Sequence, residues 1–212
     1  MRPLLFLVAD KNMEYTLRGF FERKNWGRIV GCDPFAFDVN RDIRVAVGQH
    51  DPGLFTRANE LLRPFRSKYK HVVVMVDAEW DGSPGVDNIR SRLREHIISA
   101  GWGDDGGLSL VLDPEIDVWL WSDSPHAATA MGWSGPEELR SALEAEKLLA
   151  PGDAKPERPK EAAEWALRRR GKPRSSAIYR RIAGTVSLNR CRDPVLHELL
   201  DALRTWFPRK GP

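Results

Sequence analysis

Val72-Val73-Val74-Met75-Val76-Asp77-Ala78-Glu79 is the stretch that decides the fold. Five apolar residues in a row, four of them valine, leave no polar face. A strand reads this way when it is covered on both sides, the situation of a parallel sheet with helices above and below it. The run ends abruptly in acid, with Asp77, Glu79 and Asp81 alternating at its exit. Two other strand-like runs end the same way. Leu4-Leu5-Phe6-Leu7-Val8 precedes Asp10 and Glu14, and Leu108-Ser109-Leu110-Val111-Leu112 precedes Asp113, Glu115 and Asp117.

Between these runs the apolar period shifts from strand-like to helical. Leu17, Phe20 and Phe21 predict a helix over about 13–24, and Leu54, Ala58, Leu61 and Leu62 predict one over 54–65. Ile89, Leu93 and Ile97 predict a third over 86–100, stopped at Gly101. A weak strand is predicted over 28–32, an edge strand over 42–47, and a short helix over 115–122 behind Pro114. Strands alternating with helices of ten or more residues define βαβ units with right-handed crossovers. The fold class is therefore α/β: an open, mainly parallel sheet flanked by helices. Helices predicted over 136–149, 160–170, 175–186 and 194–207 form a C-terminal appendage. The chain divides on this reading into a core over 1–135 and a basic helical unit over 136–212, with a Pro- and Gly-containing linker at 150–159.

The net charge of +3 conceals an asymmetry. Residues 1–150 hold 18 Lys and Arg against 23 Asp and Glu, a net −5, while residues 151–212 hold 15 against 7, a net +8. A segregated basic segment is the electrostatic footprint of a polyanion-binding surface, and equally of a solvated helical face. No apolar run approaches the roughly 18 residues that span a bilayer, so no membrane role is expected. The first apolar run ends at Asp10 without a small-residue cleavage site, which argues against a signal peptide. Cys32 and Cys191 are too few for a disulfide framework and read as buried thiols. The expected setting is the cytoplasm.

Sites in open parallel sheets form at the carboxyl ends of strands, near the point where strand order reverses. Three acidic clusters at three such ends predict one acidic pocket. Any single acid there, Asp10 or Asp113 for instance, also reads as a helix cap. Clustered like charges are costly unless a cation sits among them, and carboxylate oxygens suit a hard divalent ion. Asp77 and Glu79, with Asp81 and Glu115, are the candidate metal ligands, for Mg²⁺ or Mn²⁺.

The order and spacing of these acids resemble a divergent Toprim-like domain, of the sort seen in topoisomerases, primases, OLD-family nucleases and RloB-like phage-defence proteins. Asp10-Lys11-Asn12-Met13-Glu14 occupies the place of that family's first acidic motif, and Asp77-Ala78-Glu79 the place of its Asp-x-Asp pair. Pro114-Glu115-Ile116-Asp117-Val118-Trp119-Leu120 matches the Pro-Glu-x-x-x-Trp-Leu segment of RloB-like relatives. Asp10 stands where the family has Glu, Lys11 where it has Gly, and Glu79 where it has the second Asp. The resemblance covers about residues 1–125. It implies Mg²⁺-dependent, nuclease-like phosphodiester processing in an anti-phage system, possible ties to methylation-associated defence, and Asp10 or Glu14 as general acid/base or second-metal ligand. The departures imply the alternative, a non-catalytic subunit that binds nucleic acid or other defence-system proteins.

Lys160, Arg168, Arg169, Arg170, Lys172, Arg174, Arg180 and Arg181 form the predicted nucleic-acid-binding surface, gripping phosphates without reading bases. Trp165 and Tyr179 read either as base-stacking rings or as anchors of the helical unit. No Gly-x-x-x-x-Gly-Lys loop is present, so a P-loop nucleotide site is not indicated.

Overall fold

The structure is a computed structural model that describes residues 1–122, 124–188, 191 and 193–209. Four parallel strands form one open sheet: β1 (Arg2–Val8), β2 (Ile43–Val45), β3 (Tyr69–Asp77) and β4 (Gly107–Leu112), in the order β2-β1-β3-β4. The two most apolar runs are the two central strands. Register pairs Phe6 with Val73 and Val8 with Met75, so β1 and β3 end side by side at the same edge. Leu4 to Val8 and Val72 to Val76 are almost wholly excluded from solvent, as two-sided coverage requires.

The connecting helices are α1 (Lys11–Phe21), α2 (Trp26–Val30), α3 (His50–Leu62) and α4 (Val86–Ser99). The β1-to-β2 connection runs outward one way, and those to β3 and β4 run the other. Right-handed crossovers therefore put α1 on one face and α3 with α4 on the opposite face. Strand order reverses between β1 and β3, so their carboxyl ends flank the switch point.

Two local expectations are corrected, and one helix was not foreseen. The strand expected over 28–32 is absent: residues 26–30 form a short helix, closed by Gly31 in the left-handed conformation (φ 90°) that suits glycine. Residues 116–120 coil as a 3-10 turn instead of an α-helix, preceded by a cis Asp113–Pro114 peptide. Pro125–Met131 forms a helix, α5, that apolar period alone did not signal because it is built on alanine; Ser124 caps it, accepting from the His126 N–H at 3.4 Å.

Four helices follow: α6 (Pro136–Ala145), α7 (Pro159–Arg169), α8 (Ser176–Thr185) and α9 (Pro194–Trp206). They share one apolar core with the sheet. The α8 helix lies along α1 so closely that a Cβ on Gly19 would stand 2.1 Å from the Arg180 carbonyl oxygen. The end of α9 covers the amino edge of the sheet, where Trp206 stacks on His71 with ring centroids 4.5 Å apart. Burial lowers the His71 pKa to about 4, so its imidazole is neutral. At the same edge the fully buried Asp42 is held by the Arg2 guanidinium and accepts from the Tyr69 hydroxyl at 3.1 Å.

Candidate functional site

Asp10 is the residue before α1, and its Oδ1 accepts from the Met13 N–H at 2.8 Å. The capping reading of Asp10 is thus met, and the cap holds its carboxylate at the exit of β1. Asp77 closes β3 next to it. Its Oδ1 accepts from the Ile116 N–H at 2.8 Å, and its own N–H donates to Asp51 Oδ1 at 2.7 Å. Asp51, in the first turn of α3, was not among the predicted site residues. In the sequence it belongs to Asp51-Pro52-Gly53, which reads as a turn. Only the fold brings it under Asp77, twenty-six positions further on.

Three carboxylates, Asp10, Asp51 and Asp77, therefore gather at the switch point, and the ionisation of Asp51 and Asp77 reflects it. Burial raises the Asp77 pKa well above the usual carboxylate range, and the negative charges of Asp51 and Asp10 push it further. Burial also raises Asp51, with Asp10 adding to the effect and the Asp77 N–H opposing it. Each acid spends one oxygen on a backbone amide, which fixes its orientation.

A second group adjoins the first. The chain beyond Asp77 is drawn to the exit of β4, where the N–H groups of Ala78 and Glu79 both donate to the Pro114 carbonyl at 3.0 Å. Glu79 is exposed there, and Glu115 is half-buried on the facing segment. Burial raises the Glu115 pKa, Asp117 and Glu79 add to the rise, and Lys160 and Arg174 oppose it. Lys160 Nζ stands 3.6 Å from Glu115 Oε2. Glu79, Glu115, Arg158, Lys160 and Glu161 line an open cleft of about 390 Å³. One wall holds Glu79 and Glu115, and the other holds Arg158 and Lys160 together with Glu161.

Other predicted site residues lie apart from this pair of groups. Glu14 faces along α1 and pairs with Arg18 at 2.8 Å. Asp81 is exposed in the turn after β3. The basic stretch divides in two. Arg170 pairs with Glu138 and lies 4.0 Å over the Trp133 ring. Arg174 pairs with buried Asp117 at 2.8 Å, Arg180 with Glu22 at 2.7 Å, and Lys172 donates to the Ala130 carbonyl at 3.3 Å. Arg168, Arg169 and Arg181 are exposed and make no ion pair among the described residues. Tyr179 is buried and Trp165 stacks on Trp133, so both rings serve as anchors. Cys32 and Cys191 are buried free thiols, and burial raises the pKa of each.

The donor chemistry of Asp10, Asp51 and Asp77 fits a hard divalent cation, since each offers carboxylate oxygen. Among the described residues, no three His, Cys, Asp or Glu side chains form a ready-made ligand set. A cation here would need water or substrate oxygens to complete its shell, the usual condition of Mg²⁺. Among the described residues no helix is long and apolar enough to cross a membrane. No family model, curated protein or solved structure matches the chain.

Proposed function

We propose that this chain is a Mg²⁺-dependent, nuclease-like component of an anti-phage system, with a Toprim-like acidic site. The observation that carries the reading is the meeting of Asp10, Asp51 and Asp77 at the strand-order reversal, with the ionisation of Asp77 opposed by its neighbours. A bound cation would relieve such mutual repulsion and would supply Lewis acidity and an activated water. Asp77 and Asp51 would hold it, oriented by the amides they already engage, with Glu79 reaching in from the exposed loop. Asp10, at the next strand end, would accept a proton from the attacking water. Arg168, Arg169 and Arg181 would carry nucleic acid by its phosphates, offsetting the repulsion of the acidic edge.

One observation favours the second reading, a non-catalytic subunit that binds nucleic acid or partner proteins. Lys160 already lies beside Glu115, an intramolecular cation where a catalytic site would take a free one. Crystals soaked in Mn²⁺, together with digestion of DNA and RNA in Mg²⁺, decide between them. We expect anomalous density against Asp77 and Asp51, and cleavage that Asp77→Asn abolishes. Density at neither residue, with no cleavage, leaves the subunit reading.

A further inference from the structure

We propose that Asp117, held by Tyr179 and Arg174, is a positioning residue of the acidic site, so that α8 is a working part of that site. This inference rests on the acidic edge being the functional one. Asp117 is only 1% exposed, and both of its oxygens are engaged. Oδ1 accepts from the Tyr179 hydroxyl at 2.7 Å, and Oδ2 accepts from Arg174 Nη2 at 2.8 Å. Arg174 comes from the connection between α7 and α8, and Tyr179 from α8 itself.

A buried ion pair is a poor way merely to fill space. Desolvating the charges offsets most of their attraction, and apolar residues of similar volume do as well or better. What such a group supplies is a fixed geometry. The geometry fixed here is that of three consecutive residues. Glu115 sends its carboxylate into the cleft shared with Glu79 and Lys160. Ile116 gives its N–H to Asp77 Oδ1. Asp117 anchors the segment from behind. Loosening that anchor would free the amide that orients Asp77 and the carboxylate of Glu115 together.

The protein contains its own control. At the opposite edge of the sheet, buried Asp42 is held by the same chemistry, an arginine (Arg2) and a tyrosine hydroxyl (Tyr69). No acid of the site lies there. Tyr179→Phe and Tyr69→Phe each remove one hydroxyl from a buried carboxylate, so a general loss of stability affects both.

The test follows hydrogen exchange of the Ile116 amide, since this N–H is held by Asp77 Oδ1, and measures Mn²⁺ affinity in parallel. In Tyr179→Phe we expect exchange at Ile116 to quicken several-fold and Mn²⁺ affinity to fall several-fold. Tyr69→Phe should leave both at wild-type values. Asp117→Asn, which keeps the shape and removes the charge, should behave as Tyr179→Phe does and serves if that variant does not fold. Unchanged Ile116 exchange in both lock variants, or an equal change in Tyr69→Phe, overturns the inference. Absence of Mn²⁺ binding in the wild type overturns the metal reading instead, and the exchange measurement still decides the positioning role.

Discussion

Asp77 concentrates the chemistry of the acidic edge in one side chain. Its folded pKa lies above its unfolded value, because burial and then Asp51 and Asp10 disfavour the charge. Any stability this group contributes is thus present below its unfolded pKa, near 4, and is lost as pH rises through the folded value. Asp77→Asn keeps an oxygen for the Ile116 N–H and removes the charge. At pH 7 the variant should be more stable than wild type, by about 1.4 kcal/mol for each pKa unit of elevation. The difference should close as pH falls toward 4. Thermal melts over that range check it, and a variant less stable at every pH would show that the carboxylate is paired rather than strained. Millimolar Mg²⁺ should raise the melting temperature of wild type and not of Asp77→Asn, by linkage.

At the scale of elements, the α1–α8 contact shows which of two opposing terms wins. Replacing a helical glycine by alanine ordinarily gains about 1 kcal/mol of helix propensity. At Gly19 the added methyl would collide with the backbone of Arg180, and overpacking typically costs about 1–3 kcal/mol. Backbone cannot step aside as a flexible side chain can, so Gly19→Ala should lower the urea midpoint. A raised midpoint would mean that α8 slides freely along α1.

The central strands were legible because burial on both faces writes itself into consecutive letters, as in Val72 to Val76. Their acidic exits were legible for the same reason. The segment 28–32 was misread because two apolar residues before Gly31 satisfy a strand template and a helical turn equally. Asp51 was missed because its role depends on an amide twenty-six positions away, and its local letters describe only a turn. Arg180 and Arg174 were legible as charge but not as partners of Glu22 and Asp117, which lie far back in the chain.

For the molecule as a whole, the basic excess of residues 151–212 is smaller in effect than the letters suggest. Arg170, Arg174 and Arg180 are engaged internally, leaving Arg168, Arg169 and Arg181 to face solvent. If these three hold phosphates, replacing them by Gln should weaken nucleic-acid binding about equally for all sequences. The slope of log affinity against log salt should become shallower by roughly 0.7–0.9 for each phosphate no longer neutralised. The melting temperature of the variant should hold, because no ion pair is broken. Arg170→Gln, in contrast, should lower it through loss of Glu138 and the Trp133 face. Wild-type protein that binds no nucleic acid at low salt would remove the basic surface from the functional account.

The lock on Asp117 also sets a schedule. Synthesis proceeds from the amino end, and Arg174 and Tyr179 follow Asp117 by 57 and 62 residues. The acids of β1 and β3 leave the ribosome long before the side chains that square up the segment facing them. If the acidic edge is the working one, the 115–117 segment cannot take its final hold on that edge until Tyr179 has been translated.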